Sequence, residues 1–167
     1  MSDTPTTAWP AEGRQHGREA FRQAVRATVA HAATLGVPQM FWCDPDFADW
    51  PLTEPGVVAS LHTWALGGGR LRMLASDFRG VQAHCARFVH WRRQWDHRFE
   101  ARSCGKARAS ELPSVLLAGD HALLRLDAQQ GVFVVSTERA RRAQTEQTLD
   151  SWWQAAVSAF PASTLGL

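Results

Sequence analysis

The first third of the chain alternates a long helical pattern with a short apolar run. Apolar and small side chains spaced three and four residues apart predict a helix over 14–35, which a glycine and a proline end. The run over 38–43 lies between residues that break regular structure, so we expect a buried strand there. An acidic, proline-rich loop follows, and Thr53, Glu54 and Pro55 predict the start of a second helix that ends at three consecutive glycines.

Three further elements follow this glycine-rich turn. An apolar run predicts a strand over 70–76, and Asp77 is a capping residue for a helix predicted over 78–95. Residues 97–102 alternate between apolar and charged side chains, which predicts a half-exposed strand. Strands that alternate with helices in this way are typical of a parallel sheet built from right-handed crossovers.

The last part of the chain combines consecutive strands with one clear helix. A Gly-Asp-His turn joins two apolar strands, 114–118 and 122–126, as in a hairpin, and another strand is predicted over 132–136. The final helix has apolar residues at helical spacing until Pro161 stops it. These apolar residues are Leu149, Trp152, Trp153, Ala156, Val157 and Phe160.

Together these elements predict a single α/β domain over 14–161, with a disordered leader over 1–13 and a short tail over 162–167. The order αβαβαβ-β-β-α predicts a mixed, mostly parallel sheet flanked by helices. No run is long and apolar enough to span a bilayer, and the leader lacks the layout of a signal peptide. The three cysteines are an odd count without paired spacing, so we expect a cytoplasmic protein with reduced thiols and no cofactor.

One apolar strand carries a resemblance to a known superfamily. The segment over 112–120 has the layout of the phospholipase D motif, which places His-x-Lys on a strand and Asp after four further residues. Pro113 would stand for the histidine, Val115 for the lysine and Asp120 for the aspartate. With its order of elements over 21–160, the chain resembles one half of a phospholipase D-like domain, a sandwich of helices around a sheet. The closing Ala-Ser-Thr-Leu-Gly-Leu is similar to that of bacterial proteins without an established activity.

The resemblance implies that the fold is retained and that the two catalytic residues of its motif are lost. In that superfamily the histidine attacks phosphorus and the lysine neutralises the developing charge, and neither Pro113 nor Val115 can do so. Asp120 and the adjacent His121 are accounted for by the hairpin turn. Superfamily members build their phosphate site from two halves, so a lone half implies a homodimer or a larger protein partner. We therefore favour a pseudoenzyme that serves as an interaction or anion-binding module.

Acidic residues after two predicted strands leave an enzymatic alternative open. Asp44 and Asp46 follow the first strand, and Asp77 follows the second. Ligands of α/β proteins bind at the carboxyl ends of parallel strands, and carboxylates are ligands for Mg²⁺. Asp-x-Asp after a strand also resembles the start of haloacid dehalogenase-type phosphatases, although Ala48 stands where those enzymes have Thr or Val. A magnesium-dependent phosphohydrolase is thus one alternative, and simple loop and helix capping is the other interpretation of these residues.

Arginine and tryptophan are concentrated over 87–108, which suggests a second alternative, nucleic-acid binding. Basic side chains interleaved with aromatic ones can contact phosphates and stack on bases. The formal net charge is only +2, so no overall electrostatic field supports this, and the aromatic residues of the segment fall at core spacing. We favour the interpretation that these arginines form the solvated side of a helix and keep nucleic-acid binding as the alternative. The candidate anion-binding residues are Arg87, Arg92, Arg93, Arg98 and Arg102.

Overall fold

The computed structural model describes residues 8–162, which form one eight-stranded sheet flanked by helices. No helix within this range is long and apolar enough to cross a bilayer. The strands are β1 (Gly13–His16), β2 (Gln39–Cys43), β3 (Arg70–Ala75), β4 (Phe99–Ser103), β5 (Ser114–Ala118), β6 (His121–Asp127), β7 (Val132–Ser136) and β8 (Val157–Ser158). The α-helices are α1 (Arg18–Leu35), α2 (Pro55–Leu66), α3 (Arg79–His84), α4 (Ala86–Gln94) and α5 (Arg139–Ala155).

The sheet is mostly antiparallel, so the prediction of a mostly parallel sheet is wrong. Its strand order is β1-β7-β6-β5-β2-β3-β4-β8. Only two of its strand pairs, β2 with β3 and β3 with β4, are parallel, and helical crossovers connect these strands as expected. The antiparallel part arises because β5 pairs with β2 and starts a meander through β6 to β7. The short strands β1 and β8 then add antiparallel edges that the sequence pattern did not reveal.

The two faces of the sheet bury different amounts of apolar surface. Helices α1 to α4 pack on one face and form the larger core, which includes Trp42 and Phe133 from the strands. The smaller core lies on the opposite face, where Leu149 and Trp153 of α5 pack against residues such as Phe41. Phe41 and Trp42 are consecutive residues of β2 and enter opposite cores, as the alternation of side chains along a strand requires.

Helix α1 begins four residues later than predicted, because 14–16 belong to β1. Gly17 separates the two elements with a φ of 111°, and its N–H donates to the carbonyl of Gly131. A Cβ on Gly131 would lie 3.1 Å from the nitrogen of Gly17, so this approach depends on glycine. The end of α1 is as predicted: Gly36 adopts a left-handed conformation and its N–H donates to the carbonyl of Ala32.

Two other helices differ from their predicted extents. The helix predicted over 78–95 breaks at Cys85 into α3 and α4. The final helix ends at Ala155, after which two residues form β8 and the chain passes round the edge of the sheet. Phe160 therefore packs in the larger core, against Phe88 and Phe99, although helical spacing placed it with α5.

The structure describes only part of the predicted leader and of the predicted tail. Residues 1–7 of the predicted leader and 163–167 of the predicted tail lie outside the described residues. The remainder of the leader is structured, since Trp9 stacks on His121 with ring centroids 4.0 Å apart and Gly13 begins β1.

Candidate functional site

The three positions of the degenerate phospholipase D motif lie along the β5–β6 hairpin. Pro113 directly precedes β5, Val115 is a buried residue of β5, and Asp120 lies in the turn at the other end of that strand. Pro113 and Val115 line a groove of about 350 Å³ between the hairpin and α5, together with Leu124 and Leu126. The hairpin wall of the groove is therefore apolar at the two positions where the resemblance places a nucleophile and a cation.

His121 is also remote from this groove. It pairs across the hairpin with Ala118, at the turn, and its ring lies between the stacked Trp9 and the rest of the fold. Burial lowers the pKa of the His121 imidazole, which the nearby carboxylates of Glu12 and Asp120 only partly oppose. The ring thus helps to hold the N-terminal segment in place.

The acidic residues predicted as a possible metal site each bind backbone in their own loop. Asp44 is buried: one carboxylate oxygen accepts hydrogen bonds from the N–H groups of Asp46 and Phe47, and the other accepts one from the Ser114 hydroxyl, at 2.5 Å. Burial raises the pKa of Asp44, against the effect of these hydrogen bonds. Asp46 accepts from the N–H of Ala48, and within 8–162 no group of three or more His, Cys, Asp or Glu side chains is arranged to hold a metal ion.

Asp77, the third acidic candidate, accepts a hydrogen bond at 3.0 Å from the N–H of Arg79 at the start of α3. This is the capping role that the sequence suggested as the simpler interpretation. The structure therefore gives each of the three aspartates a local structural role, and none of these contacts supports the magnesium-dependent alternative.

The five arginines predicted as an anion-binding patch do not form one surface. Arg92 is buried, with its Nε donating to the Phe160 carbonyl at 2.8 Å and one Nη donating to Asp96 at 2.7 Å. Arg102 packs its guanidinium over the Trp153 ring and donates to the backbone carbonyl of that residue. Both guanidinium groups are engaged by groups of the protein itself, although the Arg102 side chain remains 27% exposed. The remaining three, Arg87, Arg93 and Arg98, lie on separate parts of the surface.

Arg98 contributes to a concave site that the sequence did not single out. We call it the cationic groove; its volume is about 530 Å³, and it lies at the amino ends of the parallel strands β2, β3 and β4. The register of the parallel strands brings these residues together. Gln39 of β2 pairs with Arg70 of β3, and the next residue of β3, Leu71, pairs with Phe99 of β4, which directly follows Arg98. The polar and charged side chains that line the groove are Gln39, Arg70, Arg72, His97, Arg98 and Glu100.

The cations of the groove outnumber its acidic groups. Arg72 lies over the Phe41 ring at 4.2 Å and is 3.8 Å from the carboxylate of Asp150, a weak pair with an exposed partner. Within the described residues Arg70 has no ion-pair or hydrogen-bond partner. Glu100, the one acidic residue that lines the groove, is 3.5 Å from Arg102.

Arg98 is only partly engaged within the protein. One Nη donates to the carbonyl of Gly68 at 3.1 Å, and the Nε is buried without an acceptor among the described residues. The second Nη has no hydrogen-bond partner among those residues and is the donor left for a ligand. The sequence did contain a signal for Arg70 and Arg72 as candidate site residues. They flank Leu71 at the start of a predicted strand, so both cations lie on the same face of that strand.

Comparisons with known proteins describe the fold rather than the chemistry. No model of a protein family matches the sequence, and no curated protein matches it significantly. The fold is similar to that of TrmBL2, an archaeal chromatin protein whose structure shows a novel mode of DNA binding (TM-score 0.66, 11% identity). That similarity covers 92% of this chain, which spans about half the length of the relative, 56%.

A second solved structure identifies the type of fold. Nuc from Salmonella typhimurium, a phospholipase D family member, is similar with a TM-score of 0.56 and 13% identity, over 89% of this chain and 98% of Nuc. At these identities the similarity concerns the fold alone. The protein has a phospholipase D-like fold, an eight-stranded mixed sheet flanked by helices.

Proposed function

We propose that this protein is a non-catalytic phospholipase D-like module that binds phosphate-bearing polyanions in the cationic groove. The observation that carries the proposal is the convergence of Arg70, Arg72 and Arg98 on one concave surface that contains a single carboxylate. Guanidinium groups are suited to phosphate because their donors are arranged as a planar fork. The apolar replacements at Pro113 and Val115 support the absence of phosphodiester cleavage.

A single-stranded nucleic acid is the polyanion that we favour. An array of guanidinium groups suits a phosphate backbone, and the packing of Arg72 over the Phe41 ring, with the Trp153 ring 5.4 Å away, holds one of these groups in place. The fold similarity to a DNA-binding chromatin protein is consistent with this choice. The proposed site therefore differs from the segment over 87–108 that the sequence suggested. From that segment only His97, Arg98, Phe99 and Glu100 line the groove.

The test is binding of a fluorescently labelled single-stranded DNA, followed by anisotropy. With three phosphate contacts, the slope of log affinity against log salt should be about −2, so affinity falls about 20-fold between 50 and 200 mM salt. Arg70→Gln should weaken binding about five- to tenfold and reduce the salt slope by about one contact. Arg93→Gln removes the same charge from an exposed position on α4, outside the groove, and should change the affinity less than about twofold.

Equal losses in Arg70→Gln and Arg93→Gln, or the absence of binding at about 50 mM salt, would contradict the groove as the site. The same DNA should remain intact after long incubation with the protein. Cleavage that disappears in Asp120→Ala or His121→Ala would contradict the non-catalytic assignment.

A second candidate function, homodimerisation, is favoured by the apolar groove at the motif positions. Leu126 lines that groove and is 55% exposed, and it continues the apolar lining formed by Pro113, Val115 and Leu124 onto the surface. We propose that a second copy covers this surface. Light scattering should give a dimer for the parent protein and a monomer for Leu126→Lys. Leu35→Lys, at a residue 59% exposed elsewhere, should remain dimeric; a monomeric parent protein would contradict the proposal.

A further inference from the structure

A second groove, between α2 and α4, is chemically unlike the cationic groove. Its volume is about 670 Å³, within the range of small-molecule sites. On α2 its lining begins at Pro55, continues through Val58 and Ala59, and ends at His62 and Thr63. This spacing covers two helical turns, so the groove is about 11 Å long.

The floor of the groove is apolar and one side carries an arginine and a histidine. Trp91 is buried at its base, while Arg87 and His90 lie on the same α4 face, one turn apart. Among residues 8–162, no Asp or Glu lines the groove. Neither Arg87 nor His90 has a hydrogen-bond or ion-pair partner within the described residues, so both are free to meet an anion.

His62 adds a further donor among the groove residues. The Nδ1 of His62 accepts a hydrogen bond from the Trp95 indole at 3.2 Å, so the neutral ring carries its proton on Nε2, a donor. The groove thus combines an apolar length with hydrogen-bond donors and lacks acidic groups.

From this geometry we infer that the α2–α4 groove binds a small monocarboxylate with an unbranched alkyl chain. The chain fills the apolar length between the two helices, and the carboxylate meets the guanidinium of Arg87, with His90 beside it. A single negative charge fits because Arg87 is the one permanently charged residue at the groove. The length of two helical turns fits a chain of medium length. This site is independent of the cationic groove and of the function proposed for it.

Calorimetric titration tests the inference, with decanoate kept below its micelle concentration and decanol kept below its solubility limit. Decanoate should bind with a stoichiometry of one, and decanol should bind on the order of tenfold more weakly because it lacks the charge. Arg87→Gln should weaken decanoate binding about tenfold and leave decanol binding unchanged. Arg93→Gln, on the same helix but outside the groove, is the matched control and should bind decanoate like the parent protein.

A variant that fills the groove separates it from other apolar surfaces. Ala59 is exposed on α2, so Ala59→Trp should fold normally while its side chain occupies the space between the helices. It should abolish binding of both decanoate and decanol, with an unchanged thermal unfolding midpoint. Undiminished decanoate binding in Ala59→Trp, equal affinity for decanoate and decanol, or no decanoate binding at all would each overturn the inference. Single-stranded DNA binding should be unaffected by decanoate.

Discussion

Replacement of Arg92 by methionine should destabilise the protein without weakening its binding of anions. The sequence pattern placed Arg92 on a solvated, anion-binding surface, whereas the structure buries its side chain to 6% exposure. The guanidinium donates to the carbonyl of Phe160 and lies 4.5 Å from the centroid of the Phe99 ring. Methionine preserves the unbranched stem and removes these interactions.

The size of the effect follows from three contributions. Loss of the charged hydrogen bond to the buried Phe160 carbonyl should cost about 1.5–3 kcal/mol. Loss of the cation–π contact with Phe99 should cost about 1–2 kcal/mol. The pair with Asp96 adds little, because that carboxylate is 63% exposed. Relief from burying a charge offsets part of the loss, so we expect a net decrease in the free energy of unfolding of about 2 kcal/mol.

Urea unfolding followed by far-UV circular dichroism measures this difference. With an ordinary dependence on urea, about 2 kcal/mol lowers the midpoint by about 1 M. Arg93→Met is the control, since Arg93 is the adjacent exposed residue, and its free energy of unfolding should stay within about 0.5 kcal/mol of the parent value. If Arg92→Met unfolds at the same urea concentration as Arg93→Met but binds DNA more weakly, Arg92 is a surface ligand and the structural reasoning is wrong.

Two further predictions concern the packing and the pH dependence of the fold. Gly69→Ala should lower the free energy of unfolding by about 2–3 kcal/mol, because the new Cβ would lie 2.2 Å from the buried ring of Trp64. Gly56→Ala in α2 meets no atom within 4 Å and should raise it by up to about 1 kcal/mol; equal effects of the two substitutions in urea unfolding would contradict this explanation. Burial lowers the pKa of His121 in the folded protein, so the unfolded chain binds the proton more readily and stability should decrease as the pH falls through about 6.5. His121→Phe keeps a ring against Trp9 and should remove this part of the pH dependence; an unchanged dependence in thermal melts between about pH 7 and 5 would exclude His121 as its source.

Elements specified by neighbouring residues were predictable from the sequence. The strand predicted over 132–136 has those bounds, and the β5–β6 hairpin forms around the expected turn. Gly36 ends α1 as predicted. The α/β class and the resemblance to the phospholipase D-like fold are confirmed by the structure and its solved relative. These features depend on periodicity, turn residues and element order, all of which are local or ordered along the chain.

Features specified by distant partners were not predictable. The pairing of β5 with β2 joins residues more than 70 positions apart, and it converts an alternating pattern into a mostly antiparallel sheet. Arg92 is four residues after Phe88, at the border of the aromatic face of α4, and the sequence offered no partner for it there. Its partner is Phe160, which returns over it from the far side of the sheet. The cationic groove likewise combines the starts of three separate strands. Such sites depend on register and crossover, which one sequence does not display.

The two short outer strands protect the sheet from self-association through its edges. An exposed edge strand can pair with a strand of another molecule, and long apolar edges invite aggregation. Here β1 has the polar sequence Gly-Arg-Gln-His, and β8 pairs with only Arg102 and Ser103 of β4. The apolar strands β5, β6 and β7 all lie between these two outer strands, and each pairs with a neighbouring strand on both sides. The sheet edges are therefore poorly suited to adding a strand from another chain. Partners are expected to bind at the faces and grooves of the protein instead.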